Sequence, residues 1–562
     1  MKNIKVVSIL IFILLTSSIF GEMILPIGNG KLQLEFDARY YQIKNEKQIK
    51  NIQKLSLENI KIGAIIDNKI YSMREVNPKI SYIEGTNILK IEGKIKEMTL
   101  VTYIYTPFDK EESFLNIYSK IITDNVKKKY DVKLYYEIDT NEKRKYVYWN
   151  NEKKYCFEQK LKIKDLTSNF NFYLATKKNM ENFKLRKIYN RKEKMDNEKI
   201  YLISDLGKID MYETKEDFVI VGNSEKIDEI ESVNFRMIFE EEVLKWREWQ
   251  ENLEIEDLKK EERGLLLQNI TLLKMNQLEN GKIISTNEID GFSLETMLYS
   301  IQAFINLNYF TEAKKGLEYI LKNEENSKNL KNVILTDSLF LEVLSEYLER
   351  SKDFNYLKTN YIEIDSISQK LFLELNTLGE KFENIEEKSI ASVVIKRFSK
   401  YLKSISFFAP TSLIQKYEKR IMQMADTIKV DKIKIENYGT TSSKINQIKY
   451  LRSNLLGNTD SEVNQFLLDY KSELGLKDTY MEYDINMLLE ILITLYEKGL
   501  WDKADPLYKK LTSIIRKNRN ILPAYVKSHN GVYQYGGENV DIILSAKYIL
   551  MLTLRRKNEI EE

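Results

Sequence analysis

Residues 281–321 read GKIISTNEIDGFSLETMLYSIQAFINLNYFTEAKKGLEYIL. The opening of this stretch is polar and punctuated by Gly281 and Gly291, the composition of a loop. From Leu294 the pattern changes. Leu294, Met297, Leu298, Ile301, Phe304 and Ile305 recur at the i, i+3, i+4, i+7 spacing that gives a helix one buried face. Asn308-Tyr309-Phe310 breaks the pattern, Thr311 then stands in an N-cap position with Glu312 in the first turn, and a second helix follows. A polar loop feeding a buried helix, itself paired at once with the next, is the repeating unit of an α/α barrel that carries its loops on one rim. Glu288, Asp290 and Glu295 are expected near any site on that rim.

The rest of the chain sets the bounds. At 562 residues it is too long for one ordinary domain. A hydrophobic content of 43%, with 36 Tyr and 23 Phe, is enough for sizeable cores. The 87 basic and 84 acidic residues nearly cancel at a net charge of +3, and no basic face is concentrated anywhere, which argues against a nucleic-acid partner. Cys156 is the single cysteine and His529 the single histidine. An intrachain disulfide and a Cys/His zinc site are therefore impossible, and a Ser-His-Asp triad would rest on His529 alone. Hydrolytic chemistry in this chain would rest on carboxylates, with no metal and no cofactor.

The N-terminus reads as an export signal over residues 1–21. Met1 to Lys5 form a basic start, Val6 to Phe20 an apolar run, and Gly21 a small residue at the cleavage position. The run is shorter than the ~20 apolar residues a spanning helix requires. No later stretch is long and apolar enough, so no transmembrane helix is expected after signal removal. An exported protein, periplasmic or extracellular, is the expectation.

From residue 22 to 239 the period is that of strands. Leu32, Leu34 and Phe36 alternate with polar neighbours, as do Val132, Leu134, Tyr136 and Ile138; Phe235, Met237 and Phe239 continue the alternation. Short segments such as Ile60–Asp67, Leu100–Tyr105, Phe114–Ile122 and Phe218–Gly222, separated by charged turns, predict an all-β sandwich. Residues 240–260 carry a charged amphipathic helix with Trp246 and Trp249 on one face, a linker whose tryptophans pack rather than bind sugar.

From 261 to 557 the period is helical. Leu266, Ile270, Leu273 and Leu278 mark the first helix, and Asp337 is placed as the cap of another bearing Leu339, Phe340, Val343, Leu344 and Tyr347. Further helices are predicted at Ile362–Leu378, Ser389–Ile405, Thr411–Ile428, Ile445–Leu456, Ser461–Leu474, Ile485–Lys498, Lys503–Ile515 and Val540–Leu554. About a dozen helices on short connections suit an (α/α)6 toroid of six hairpins, and no fixed repeat period points to a solenoid. The fold class expected is a multidomain chain: an N-terminal all-β sandwich followed by an all-α (α/α)6 toroid.

Several segments in this order resemble the glucoamylase-like glycoside hydrolases of prokaryotes. Leu25-Pro26-Ile27-Gly28-Asn29-Gly30 resembles the opening turn of that family's sandwich, and Trp246 with Trp249 its linker helix. Gly281-Lys282-Ile283-Ile284 resembles the loop after the first barrel helix, Asp337-Ser338-Leu339 with Ser345-Glu346-Tyr347 the fourth helix, and Leu500-Trp501-Asp502-Lys503-Ala504 the penultimate connection. The resemblance implies inverting hydrolysis of α-glucosidic bonds in an oligosaccharide or α-glucan. One carboxylic acid protonates the leaving oxygen, and a second carboxylate, about 6.5–9.5 Å away, activates water.

Carried over residue by residue, the resemblance makes Glu386 the candidate acid, with Glu383 and Glu387 as alternatives of register. The family's sugar-binding Trp-Pro-Arg-Asp falls on Phe292-Ser293-Leu294-Glu295, so the Arg clamp is missing. The base falls on Leu522-Pro523-Ala524, and alanine cannot activate water. Glu538, after Tyr535-Gly536-Gly537, is the candidate for a displaced base. Phe292, Glu295, Tyr533 and Tyr535 are the candidate substrate contacts, and Tyr480, Tyr483 and Tyr525 share the predicted rim. Two readings follow: an exported hydrolase of glucoamylase type with a relocated base, or a catalytically inactive glycan-binding or envelope structural protein on the same fold. Composition and motifs leave the oligomeric state open.

Overall fold

In the computed structural model the chain is described over residues 24–44, 59–109, 114–124, 128–139, 147–150, 159–164, 171–176, 180–181, 199–222, 235–255 and 258–284. The description continues over 293–322, 333–379, 385–407, 411–429, 448, 480–518, 521–529, 532–536 and 540–561. By contact the chain divides into two compact units, one spanning Glu22–Glu279 and the other Asn280–Gly537 with Asp541–Glu562.

The first unit holds an antiparallel β-sandwich. One sheet runs, in spatial order, Ile24–Gly28, Gln33–Asp37, Gln42–Lys44, Asn59–Ile66, Tyr130–Asp139, Lys199–Ile209 and Met180–Glu181, with Lys69–Ser72 also paired to Asn59–Ile66. The second runs Val147–Asn150, Gln159–Lys164, Asn171–Thr176, Thr214–Gly222, Phe114–Thr123, Met98–Tyr105, Leu89–Ile95 and Lys79–Tyr82. Alternation explains the burial. In Leu89–Ile95 the residues Leu89, Ile91 and Ile95 are buried while Lys90, Glu92 and Lys94 are not, the period of two that a half-buried strand requires.

The alternation of Phe235, Met237 and Phe239 does not make a strand. Helix α1 (Phe235–Trp249) begins there instead. Three apolar residues at period two over so short a span leave Phe239, Val243 and Trp246 free to form a helical stripe, and Arg236 Nε bonds Glu240 at 2.8 Å as an i,i+4 pair. Phe239 and Val243 pack onto Tyr105 and Tyr118 of the sheet. Trp246 is buried; its Nε1 donates to Asn87 Oδ1 at 3.2 Å and to Glu242 Oε1 at 3.0 Å. Asn87 in turn donates to the carbonyls of Gly28 and Thr106, so one side chain ties the first strand, a turn and α1. Helix α2 (Lys260–Met275) belongs to the same unit, its Thr271 hydroxyl accepting from Gln250 at 2.9 Å. Both tryptophans of α1 pack, their rings 5.9 Å apart and edge to face.

The second unit is the toroid. Its described helices are α3 (Leu294–Asn306), α4 (Phe310–Lys322), α5 (Val333–Ser351), α6 (Phe354–Thr359), α7 (Tyr361–Gly379), α8 (Ile385–Ile405), α9 (Thr411–Lys429), α10 (Ile485–Glu497), α11 (Trp501–Lys517) and α12 (Ile542–Glu561). Ser293 caps α3, its hydroxyl accepting from Thr296 N. Two predicted caps shift. Helix α4 starts at Phe310, ahead of Thr311, because Ala313 N already bonds the Tyr309 carbonyl. Helix α5 starts at Val333, so Asp337 lies inside it and pairs with Lys370 of α7 at 3.1 Å. The predicted helices at Ile445–Leu456 and Ser461–Leu474 lie outside the described residues, apart from Ile448.

Side-chain registers give the helix directions. Gln302 bonds Glu346 and Asn306 bonds Arg350, so α3 and α5 run parallel. Glu342 meets Arg397 and Glu346 meets Lys400, so α5 and α8 do too. Phe372 packs on Tyr417 and Asn376 bonds Arg420, which makes α7 and α9 parallel. Two layers of parallel helices joined by short connections are what α/α hairpins arranged side by side produce. The inner layer continues from α3 to α12 and from α12 to α10. Gly281 packs the segment before α3 onto α4: at φ +91° it lies so near the Lys315 carbonyl that a Cβ would stand 2.0 Å from that oxygen. A three-stranded antiparallel sheet, Tyr480–Asp484, Tyr525–His529 and Val532–Gly536, precedes α10 and α12. Among the described residues no helix is long and apolar enough to cross a membrane.

Candidate functional site

The sequence-predicted residues that are described lie in the first turns of helices and on the three-stranded sheet. Glu295 lies in the first turn of α3 and is exposed. Glu386 is the second residue of α8, in its first turn rather than in a loop, seven positions before Val393; its side chain is not among those described. Tyr533 and Tyr535 lie in the strand Val532–Gly536, opposite Ser528 and Val526. The same sheet sets Tyr483 opposite Val526, Tyr480 opposite His529 and Tyr525 opposite Asp484, so the register places Tyr483, Tyr533 and Tyr535 on one face and Tyr480 and Tyr525 on the other. His529 closes its strand, opposite Val532. Phe292, Glu288, Asp290 and Glu538 lie outside the described residues.

Ala524 is the residue on which the resemblance places the base. It enters the sheet just before the exposed Tyr525, and its carbonyl accepts from Ile485 N at 3.1 Å. The neighbouring carboxylates serve helix N-termini. Asp484 Oδ1 accepts from Met487 N at 3.0 Å, and Asp541 Oδ1 from Ile543 N at 3.1 Å.

Deeper along the inner helices lies a cavity of about 300 Å³ that the sequence did not reveal. One wall, from α8, presents Lys396, Arg397 and Lys400; the facing wall, from α5, presents Glu342 and Glu346. Arg397 Nε meets Glu342 at 2.9 Å and Lys400 Nζ meets Glu346 at 2.6 Å. Gln302 of α3 donates to both oxygens of Glu346, at 3.1 and 3.0 Å. Burial raises the Glu346 carboxyl above the ordinary carboxylate value, against the pull of Lys400. Burial also works to lower Lys400, but Glu346 and Glu342 outweigh it and hold that ammonium above its ordinary value. The carboxylate is the more enclosed partner, 17% exposed against 35%, and so bears the greater desolvation.

Beside the cavity a second network is sealed. Glu490 of α10 and Lys547 of α12 meet at 2.7 Å, both out of solvent. Tyr299 of α3 donates to Glu490 at 3.4 Å, and Lys547 stands 4.6 Å from the centre of the Tyr299 ring and donates to Asn486 at 2.6 Å. The Tyr299 hydroxyl is pushed up by burial first and by the Glu490 charge second. Tyr299 also borders the cavity. The sequence signal for these residues was faint: charged side chains interrupting apolar helical stripes, as Glu342 and Glu346 do between Leu339 and Tyr347. Among the described residues no group of three or more His, Cys, Asp or Glu is placed to hold a metal ion.

A bacterial glucoamylase, solved in complex with acarbose, superposes with a TM-score of 0.64 at 12% identity, covering 95% of this chain and 94% of that one. The fold is glucoamylase-like. An α-L-rhamnosidase from Dictyoglumus thermophilum aligns at a TM-score of 0.36 and 10% identity, over 94% of this chain and 73% of that one. No protein-family model matches the sequence, and no curated protein matches it. The glucoamylase-like fold thus extends over both the sandwich and the toroid, and at this identity it speaks for architecture alone. In it, Glu295, the start of α8 and the three-stranded sheet all lie at or ahead of inner-helix N-termini, while the charged cavity is lined from later turns.

Proposed function

We propose that this protein is an exported, glucoamylase-like glycan-binding protein that holds oligosaccharide without hydrolysing it. The observation that carries the reading is Ala524. Inverting hydrolysis requires a carboxylate to activate water, and the position that the resemblance assigns to it bears a methyl group whose backbone is engaged with α10. A small sheet that carries Tyr480, Tyr483, Tyr525, Tyr533 and Tyr535, with Tyr525 exposed, supports a ligand with sugar faces to stack on. The acarbose complex of the structurally similar glucoamylase supports the ligand class. Export rests on the basic and apolar pattern of residues 1–21.

A second reading has one observation in its favour. Glu386 stands in the first turn of α8, so an acid there, as the resemblance implies, with Glu538 as a displaced base would retain hydrolysis. Calorimetric titration of the purified chain with maltotetraose, alongside a glucose-release assay, separates the two. Binding without release supports the glycan-binding protein. Release that disappears in Glu386→Gln supports the hydrolase, and absence of both leaves the fold without this function.

A further inference from the structure

The charged cavity contains none of the residues predicted from sequence as catalytic or substrate-binding. It is also small: about 300 Å³ is the lower end of the range for ligand pockets. Its chemistry restricts what it could hold. Glu342 is already paired with Arg397, and Glu346 with Lys400. Lys396 and Glu497 complete the charged lining, three cationic side chains against three anionic ones, so the cavity presents no net charge to an ionic ligand, and taking either pair apart would leave an uncompensated charge. A neutral ligand with hydroxyl groups leaves both pairs intact.

The hydrogen-bonding capacity that remains points the same way. Glu346 Oε1 accepts from Gln302 and from Lys400, whereas Oε2 accepts from Gln302. Each carboxylate oxygen has two acceptor sites, so Oε2 keeps room for a further donor such as a hydroxyl. Leu339, Val393 and the Tyr299 ring supply an apolar strip on the same lining, suited to the C–H side of such a molecule.

We propose that the cavity between α3, α5 and α8 is a binding site for one small neutral polyhydroxylated molecule, no larger than a single hexose. None of the residues predicted from sequence as catalytic or substrate-binding lines it, and the ligand class rests on the carbohydrate reading above.

The test titrates the purified full chain with D-glucose by ligand-observed NMR, and with maltotetraose in a separate titration. Gln302→Leu removes the donor to Glu346. Lys396→Glu reverses a charge at an exposed position of the lining. Saturable glucose binding that weakens tenfold or more in either folded variant is the expected result; if Gln302→Leu does not fold, Lys396→Glu alone decides. No glucose binding by the wild-type chain, or binding unchanged in every variant that folds, overturns the proposal. Maltotetraose binding without glucose binding would leave the glycan-binding reading standing and remove only this site. Glucose binding without maltotetraose binding would do the reverse.

Discussion

Glu490 and Lys547 meet at 2.7 Å with both side chains closed off from solvent. They join α10 to α12, and Tyr299 and Asn486 complete the hydrogen bonds around them. Removing one member of such a pair leaves the other as a buried charge, which costs about 3–5 kcal/mol. Lys547→Met is therefore expected to destabilise the helical unit by that order in urea denaturation. The double variant Glu490→Leu with Lys547→Met is expected to recover most of the loss, because two apolar side chains no longer need each other's charge. Equal losses in the single and double variants would show that packing, and not the ion pair, matters there.

A second ionisable group governs pH dependence. Burial outweighs the opposing hydrogen bond from Phe108 N and pushes Glu242 up to about 7 from an ordinary 4.5. The folded chain therefore keeps a proton that the unfolded chain releases. Its contribution is fully present below about pH 4.5, falls as pH rises to about 7, and is gone above. A shift of this size corresponds to about 3 kcal/mol. Glu242→Gln, which mimics the protonated form, is expected to match wild-type stability near pH 4.5 and to exceed it at pH 8 by up to that amount. Denaturation followed by tryptophan fluorescence at the two pH values reads the difference; parallel pH profiles for the two proteins would contradict it.

Two glycines separate close approach from backbone preference. Gly281 has φ +91° and sits against the Lys315 carbonyl, whereas Gly499 has φ +69° with nothing within 4 Å of the place a Cβ would take. Gly499→Ala is expected to cost about 1 kcal/mol, the penalty for a left-handed residue. Gly281→Ala must also move α4 and is expected to cost at least about 3 kcal/mol, by the combined weight of strain and overpacking. Thermal melts of the two variants give the ranking, and equal shifts would count against the close packing of Gly281 on α4.

Much of the architecture was legible because it depends on period. The Leu294–Ile305 stripe became α3, and the alternation at Leu34 and Phe36 became a sandwich strand. Phe235–Phe239 misled because Phe235, Met237 and Phe239 fit a strand face while Phe239 also begins a helical stripe, and only α1's continuation to Trp246 settles which. The cavity was illegible for a different reason. Its bonds join positions 44 and 54 apart in sequence, Gln302 and Lys400 to Glu346, and no local pattern encodes a meeting between separate helices. For the rim, the resemblance supplied positions such as Ala524, while the geometry supplied the sheet that carries the tyrosines.

The most direct test of the glycan-binding reading is a paired measurement on the purified chain: calorimetric titration with acarbose or maltotetraose, and glucose release from the same oligosaccharide over hours. Saturable binding is predicted with no glucose above the buffer blank, and no change in release for Glu386→Gln. Steady glucose release that Glu386→Gln abolishes would contradict that reading and make this chain a hydrolase with a base other than residue 524.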